Sequence, residues 1–282
     1  MKTIEQLKDE LLELAFAEDI GDGDHTTLST IPEDAIGKSR LIIKEDGVLA
    51  GVDMALEVFK KLDPYIKTEV YIKDGSNVKK GDIAFESEGP VRSLLIAERT
   101  MLNIMQRMSG VATMTRRYQD ELSGLHTRVL DTRKTTPGMR MLEKEAVKIG
   151  GGTNHRIGLF DMILIKDNHI DFAGGIEEAI TRAQEYCKAN GKDLKIEVEV
   201  RSLDDIRKVM NHGGVDRIMF DNFTPEQTKE AVKLVNGKYE TESSGGITLE
   251  NLRAYGEAGV DFISVGALTH SVKGLDMSFK AV

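Results

Sequence analysis

Residues 195–222 read KIEVEVRSLDDIRKVMNHGGVDRIMFDN. A β-branched run at 195–200 is followed by a helical stretch at 202–211 and then a second apolar run at 217–220. Strand, helix and strand in so short a span predict two neighbouring parallel strands joined by a crossover helix. Working outward, similar short runs occur at 128–131 (RVLD), 161–165 (DMILI), 238–241 (KYET) and 261–265 (DFISV). Helical stretches at 175–189, 225–235 and 248–258 separate most of them. The alternation predicts a parallel sheet flanked by helices, either an α/β barrel or a doubly wound open sheet. A seventh strand is expected within 140–160.

Upstream, the pattern differs. Residues 3–17 predict a helix with Ile4, Leu7, Leu11, Leu14 and Ala15 on one face. Residues 37–90 read as an α+β region. Short strands around 39–43, 69–72 and 83–86 alternate with turn signals at Asp46-Gly47, Asp74-Gly75 and Lys80-Gly81-Asp82, with a helix near 53–61. A long helix over 93–122 carries an apolar stripe of Ala97, Met101, Ile104, Met105, Met108, Val111 and Ala112. A methionine-rich stripe of this kind suits a core or a subunit interface.

Composition narrows the function. The 282 residues are 40% hydrophobic with a net charge of −9, which disfavours nucleic acid or an anionic membrane as the main partner. Residues 128–170 run against that balance, with eight Lys/Arg and five Asp/Glu. A basic segment in an acidic chain suggests a small anionic ligand held in one place. Cys187 is the sole cysteine, so the chain forms no internal disulfide and no Cys-based structural zinc site. The opening MKTIEQLKDELLELAFAEDI has no apolar h-region, so no signal peptide is expected there. Apolar runs such as 162–165 are far too short to span a bilayer.

Each expected strand runs into polar residues or glycine: Thr132-Arg133-Lys134, Lys166-Asp167-Asn168, Asp221-Asn222, the turn from Glu242 to Gly246, and Gly266. Glu199 lies inside a strand, where an unpaired carboxylate is costly. Barrel enzymes assemble their sites from such strand ends. Arg133, Lys134, His155, Arg156 and Lys166 form a cationic set suited to carboxylates and phosphates. Glu199 and Asp221 are hard oxygen ligands suited to Mg2+ together with substrate phosphates. Ser244-Gly245-Gly246 ahead of a helix, with Gly266 and His270, resembles the phosphate site after the last strands of a barrel. No GxxxxGK[ST] motif is present, which disfavours ordinary ATP chemistry.

Several long segments resemble the signatures of the quinolinate phosphoribosyltransferase family. They are DTRKTTPGMR (131–140), GGGTNHRIGLFDMILIKDNHI (150–170), IEVEV (196–200), MFDNF (219–223), ESSGGI (242–247) and SVGALTHS (264–271). EDIGDGDHTT (18–27) and AERTMLNIMQRMSGVAT (97–113) extend the likeness over nearly the whole chain. The resemblance implies an α/β protein: an N-terminal α/β sandwich domain over 1–112, then an irregular α/β barrel over 113–270, with the tail 271–282 packing back on the first domain. It implies a cytoplasmic, Mg2+-dependent enzyme of NAD biosynthesis. Such an enzyme transfers phosphoribosyl from 5-phosphoribosyl 1-pyrophosphate to quinolinate with decarboxylation. By resemblance, quinolinate falls to Arg99, Arg133, Lys134, His155, Arg156 and Lys166. The donor falls to Lys134, Glu199, Asp221, Ser244, Gly245, Gly246, Gly266 and His270, with catalysis from Lys134, Lys166, Glu199 and Asp221. Arg99 is expected to cross a homodimer interface, within a possible higher oligomer. Three alternatives stay open: a transferase acting on nicotinate or another ring acid, a Schiff-base lyase using Lys166, and a non-catalytic metabolite-binding module.

Overall fold

A computed structural model of the chain describes residues 2–282. In chain order, α1 (Ile4–Ile20) and α2 (His25–Thr30) precede β1 (Ile36–Ile43) and β2 (Gly47–Val48). Then come α3 (Val52–Leu62), β3 (Lys67–Val70), β4 (Asn77–Val78), β5 (Ile83–Pro90) and the 31-residue α4 (Val91–Glu121). The second half runs β6 (Arg128–Leu130), α5 (Arg140–Ile149), β7 (Ile163–Ile165), α6 (Asp167–Ala173), α7 (Ile176–Ala189) and β8 (Ile196–Val200). It continues with α8 (Leu203–His212), β9 (Arg217–Asp221), α9 (Pro225–Val235), β10 (Glu240–Ser244), α10 (Leu252–Glu257), β11 (Phe262–Ser264), α11 (Ala267–His270) and β12 (Met277–Ala281). Two compact units result: Met1–Arg116 with Thr135–Gly151 and Leu268–Val282, and Arg117–Lys134 with Gly152–Ala267.

The first unit is built on an antiparallel sheet of order β12-β1-β5-β3. Phe59 of α3, Phe85 of β5 and Phe279 of β12 meet in its core, with ring centroids about 6 Å apart. α1 starts with a capping box between Thr3 and Gln6. Its apolar face is only partly covered, since Ile4 is 50% and Leu14 65% exposed. The stripe of α4 behaves oppositely: Ala97, Met101, Ile104, Met105, Met108, Val111 and Ala112 are all buried within the subunit. The methionines therefore fill this unit's own core and are not available to a partner.

The second unit is the parallel sheet, of order β6-β11-β10-β9-β8-β7. Local signals set its helices. Thr224-Pro225 with Gln227 makes a capping box with proline at the first turn of α9, and Asn236 closes that helix in the left-handed conformation. Ser202 caps α8 by accepting from Asp205 N–H. The expected seventh strand is absent. Residues 140–149 form α5, and only Thr153 adds to the ladder, as an isolated parallel bridge to Leu130. Leu142, Ala146 and Val147 recur at helical spacing and are fully buried; that period of 3.6 decides against a strand. The result is the irregular α/β barrel expected, behind an N-terminal α/β sandwich unit.

Period-two alternation sorts the strands into two faces. Val198, Val200, Ile218 and Phe220 lie on one face and are buried. The register sets Glu197 against Arg217 and Arg217 against Glu240, then Glu199 against Met219 and Met219 against Glu242, then Asp221 against Ser244. These residues share the other face. The charged positions inside apolar strands are thus stacked rungs of one interior.

Candidate active site

A cavity of about 330 Å³ opens at the C-terminal ends of the parallel strands, a volume suited to a small-molecule ligand. The segment after β6 supplies Asp131, Thr132, Arg133 and Lys134; the segment before β7 supplies His155 and Arg156. Lys166 follows β7, while Leu164, Met219, Glu242, Ser244 and Ser264 line the interior. Five of the six cations expected around the ring acid therefore share one cavity. Burial, and next the charge of Arg133, pull the Arg156 guanidinium below its ordinary range. Two like charges crowded in a half-buried wall are relieved by an anion between them.

The opposite charge sits beside them. Lys166 Nζ contacts Glu199 Oε2 at 3.0 Å, and Glu199 is 7% exposed. Asp221 ends β9; burial first, then the charge of Glu199, push its carboxyl above the usual carboxylate range. A carboxyl pushed up by a second carboxylate beside it makes, with that neighbour, a fitting oxygen pair for a divalent cation.

At the end of β10 the backbone turns sharply. Gly245 has φ +95° and Gly246 φ +61°. A Cβ on Gly245 would fall 2.2 Å from Asn222 Oδ1, so only glycine fits. Asn222 is itself left-handed at φ +57°; it donates its main-chain N–H to Ser244 O and its amide to Asp221 Oδ2. The helix expected from residue 248 begins only at Leu252 and is six residues long. The glycine turn, and not a helix end, is the feature suited to a phosphate. Gly266 follows β11 at the start of α11.

Arg99 and His270 belong to the first unit. His270 ends α11, is exposed, and has Nδ1 2.6 Å from Ser271 Oγ. Arg99 is exposed on α4, in a recess shared with Leu11, Ala15, Thr100, Ile104 and Met139.

His155 lines the cavity but is held mostly below its surface. Its ring side chain is 6% exposed, and Nε2 lies 2.9 Å from Glu197 Oε2 and 3.5 Å from Glu242 Oε2. Burial opposes a charge on the ring, but the two carboxylates outweigh it and draw His155 up to about 9. The main-chain N–H of Arg156, however, donates to Nδ1 at 2.7 Å. Both ring nitrogens are therefore engaged, Nδ1 by the main chain of Arg156 and Nε2 by the carboxylate of Glu197. Glu197, Glu242 and Arg217 were not among the expected site residues. For Glu197 and Arg217 the signal in the sequence was a charge inside or opening an otherwise apolar strand; Glu242, in the polar strand ETESS, had none.

Comparison with known proteins follows the same outline. The model of the quinolinate phosphoribosyl transferase N-terminal domain matches residues 24–109, and that of the C-terminal domain matches 111–280. The chain belongs to the quinolinate phosphoribosyltransferase family. A Bacillus subtilis relative named as a probable nicotinate-nucleotide pyrophosphorylase (carboxylating) is 46% identical, over 97% of this chain and 92% of its own. A mitochondrial quinolinate phosphoribosyltransferase (decarboxylating) of Nicotiana tabacum is 44% identical, over 96% and 81%. The crystal structure of NadC from Streptococcus pyogenes superposes with a TM-score of 0.93 at 38% identity, covering 100% of this chain and 99% of that one. Among the described residues of this family member, no helix is long and apolar enough to cross a membrane.

Proposed function

We propose that the chain transfers phosphoribosyl from 5-phosphoribosyl 1-pyrophosphate to quinolinate, releasing pyrophosphate and CO2 and forming nicotinate mononucleotide for NAD biosynthesis. The observation that carries this reading is the single cavity in which the crowded Arg133–Arg156 pair faces Lys166, with Glu199 behind it and the Ser244–Gly245 turn beside it. A pyridine with two adjacent carboxylates offers such cations two anionic handles, and Arg forks hold carboxylates by two points. Nicotinate, with one carboxylate, would leave part of this positive charge unmatched. Lys166 Nζ is committed to Glu199, whereas a Schiff-base lyase needs that nitrogen as an uncharged amine. Both points favour the transferase acting on the diacid.

The pyridine nitrogen is already a nucleophile, so the chain need supply no general base for its attack on C1 of the ribose. Arg133, Lys134 and Arg156 hold the acid in line with C1. Glu199 and Asp221 face the positive charge that develops on the sugar as pyrophosphate departs, and Lys134 and Lys166 face the leaving group. Ser244, Gly245, Gly246 and Gly266 receive the 5′-phosphate. Glu199 and Asp221 would hold Mg2+, directly or through water; when bound it supplies neutralisation of the pyrophosphate charge. After transfer the bond from C2 to its carboxylate breaks, CO2 departs, the cationic ring stabilises the electron pair left on C2, and C2 then takes a proton from water.

Arg99 serves the partner's site in a homodimer. Its recess, flanked by the uncovered apolar residues of α1, supports an interface there. A cytoplasmic setting fits a chain with a lone cysteine. The deciding experiment follows CO2 release with quinolinate, donor and Mg2+ all present. Release should require each of the three; pyrophosphate release with nicotinate in place of quinolinate, or no CO2 from quinolinate, overturns the reading. Asp221→Ala and Glu199→Ala should raise the donor KM and weaken the Mg2+ dependence more than they affect quinolinate affinity. The reverse order would mean that the two halves of the site are exchanged.

A further inference from the structure

The proposed reaction makes no use of a group of charged side chains buried in and beneath the cavity wall. Arg217, at the start of β9, donates through Nη1 to Glu242 Oε2 at 3.0 Å and through Nη2 to Glu240 Oε2 at 3.0 Å. Its guanidinium also lies 4.3 Å from the centre of the Phe262 ring. Glu242 and Glu197 are both 0% exposed, and both converge on His155 Nε2. On the far side of that ring, Nδ1 holds the main-chain N–H of Arg156, and the main-chain N–H of His155 donates to Asp131 Oδ1 at 2.9 Å. The contacts thus run unbroken from the foot of the barrel to the cavity wall.

A metal would be the other use for His155, Glu197 and Glu242, whose ligand atoms lie within 4.8 Å of one another. Arg217 already brings a positive charge onto Glu242, and His155 Nε2 stands 2.9 Å from Glu197 Oε2, so the chain's own groups already occupy these ligand atoms. Buried ion pairs seldom stabilise more than well-packed apolar side chains of the same volume. Their retention in an apolar strand is better explained by what they orient.

Building on the activity proposed above, we propose that Glu197 and Glu242, with Arg217 behind them, are positioning residues for the quinolinate half of the site. They lock the His155 ring, the ring fixes the main chain of Arg156, and the Arg156 guanidinium is thereby held on the cavity wall. Glu197 and Arg217 act from under that wall without touching the ring acid. The donor half, built on Glu199, Asp221 and the glycine turn, does not depend on this lock.

The test compares Glu197→Leu, Glu197→Gln and Glu242→Gln with wild type, reading kcat, the KM of each substrate and the melting temperature. Glu197→Leu cannot accept the Nε2–H and should raise the quinolinate KM by about tenfold or more, leaving the donor KM within about twofold. Glu197→Gln keeps an acceptor for that proton and should recover most of the loss. If Glu197→Leu does not fold, Glu242→Gln carries the test, with the quinolinate KM again rising alone. An unchanged quinolinate KM in the folded variants overturns the inference, as does an equal rise in both KM values. Wild type is the control for the activity itself: if it releases no CO2 from quinolinate, the activity is wrong, whatever the variants do.

Discussion

Arg156 shows how one residue's chemistry depends on its neighbours. Burial and the Arg133 charge both work against its ionisation, while the ring of His155 fixes its main chain. Removing either guanidinium should therefore cost substrate capture and not the fold. Arg133→Ala and Arg156→Ala are each expected to weaken quinolinate binding by about ten- to hundredfold, since a charge-assisted hydrogen bond contributes roughly 1.5–3 kcal/mol. Calorimetric titration of each variant with quinolinate checks this, and unchanged affinity in both would remove the pair from the site. The residue types at 133, 134 and 166 were legible in the sequence because a cation at a strand end has few structural uses, and Arg156 because it falls in the basic segment 128–170. The clamp on the His155 ring was not, because it comes from two carboxylates on β8 and β10 that no sequence spacing brings together.

Elements show the same division between local and distant causes. α3 starts at Gly51, a left-handed residue with no capping side chain of its own. Its first N–H groups go instead to a residue 22 positions downstream: Asp74 accepts from Gly51 N–H and Val52 N–H, both at 3.0 Å. Asp74→Ala should lower stability by about 1–2 kcal/mol, the usual cost of a lost cap, read as a shift in the denaturant midpoint. Burial, the largest influence on this carboxyl, outweighs its two N–H bonds and holds it above the usual carboxylate range. A raised value in the fold means that stability is gained as pH falls through it and lost as pH rises. Wild type should therefore gain on Asp74→Asn in acid, and a gap that widens towards alkaline pH would contradict this. α9 needed no such help, because Thr224, Pro225, Gln227 and Asn236 supply its start and stop within the segment. α5 misled the reading because glycines and polar residues on either side masked its four-residue apolar period.

For the whole molecule, the open question is what covers the apolar face of α1. Leu14 at 65% and Leu95 at 41% exposure are large apolar side chains in water, on the two helices that flank the Arg99 recess. A two-fold dimer would bury the same patch twice and place Arg99 at both sites. Mixing inactive Arg99→Ala subunits with inactive Lys134→Ala subunits should then restore activity. With random exchange about half of the dimers are hybrids, each with one intact site of two, so recovery towards about a quarter of wild type is expected. If exchange is verified by mass and activity stays absent, Arg99 acts in its own subunit or not at all.

The alternation of strand and helix, the long α4 and the polar strand ends were determined by the sequence alone. Hydrophobic period and caps act over a few residues, and a reader of the chain sees them directly. The methionine stripe of α4 had two readings, core or interface, and only the packed chain chose the core, because burial depends on what lies opposite. Glu197, Arg217 and Glu242 lie in three different stretches of the sequence. Strand register made them one network: residues far apart in the chain become neighbours when parallel strands align, and no local pattern encodes which rung faces which.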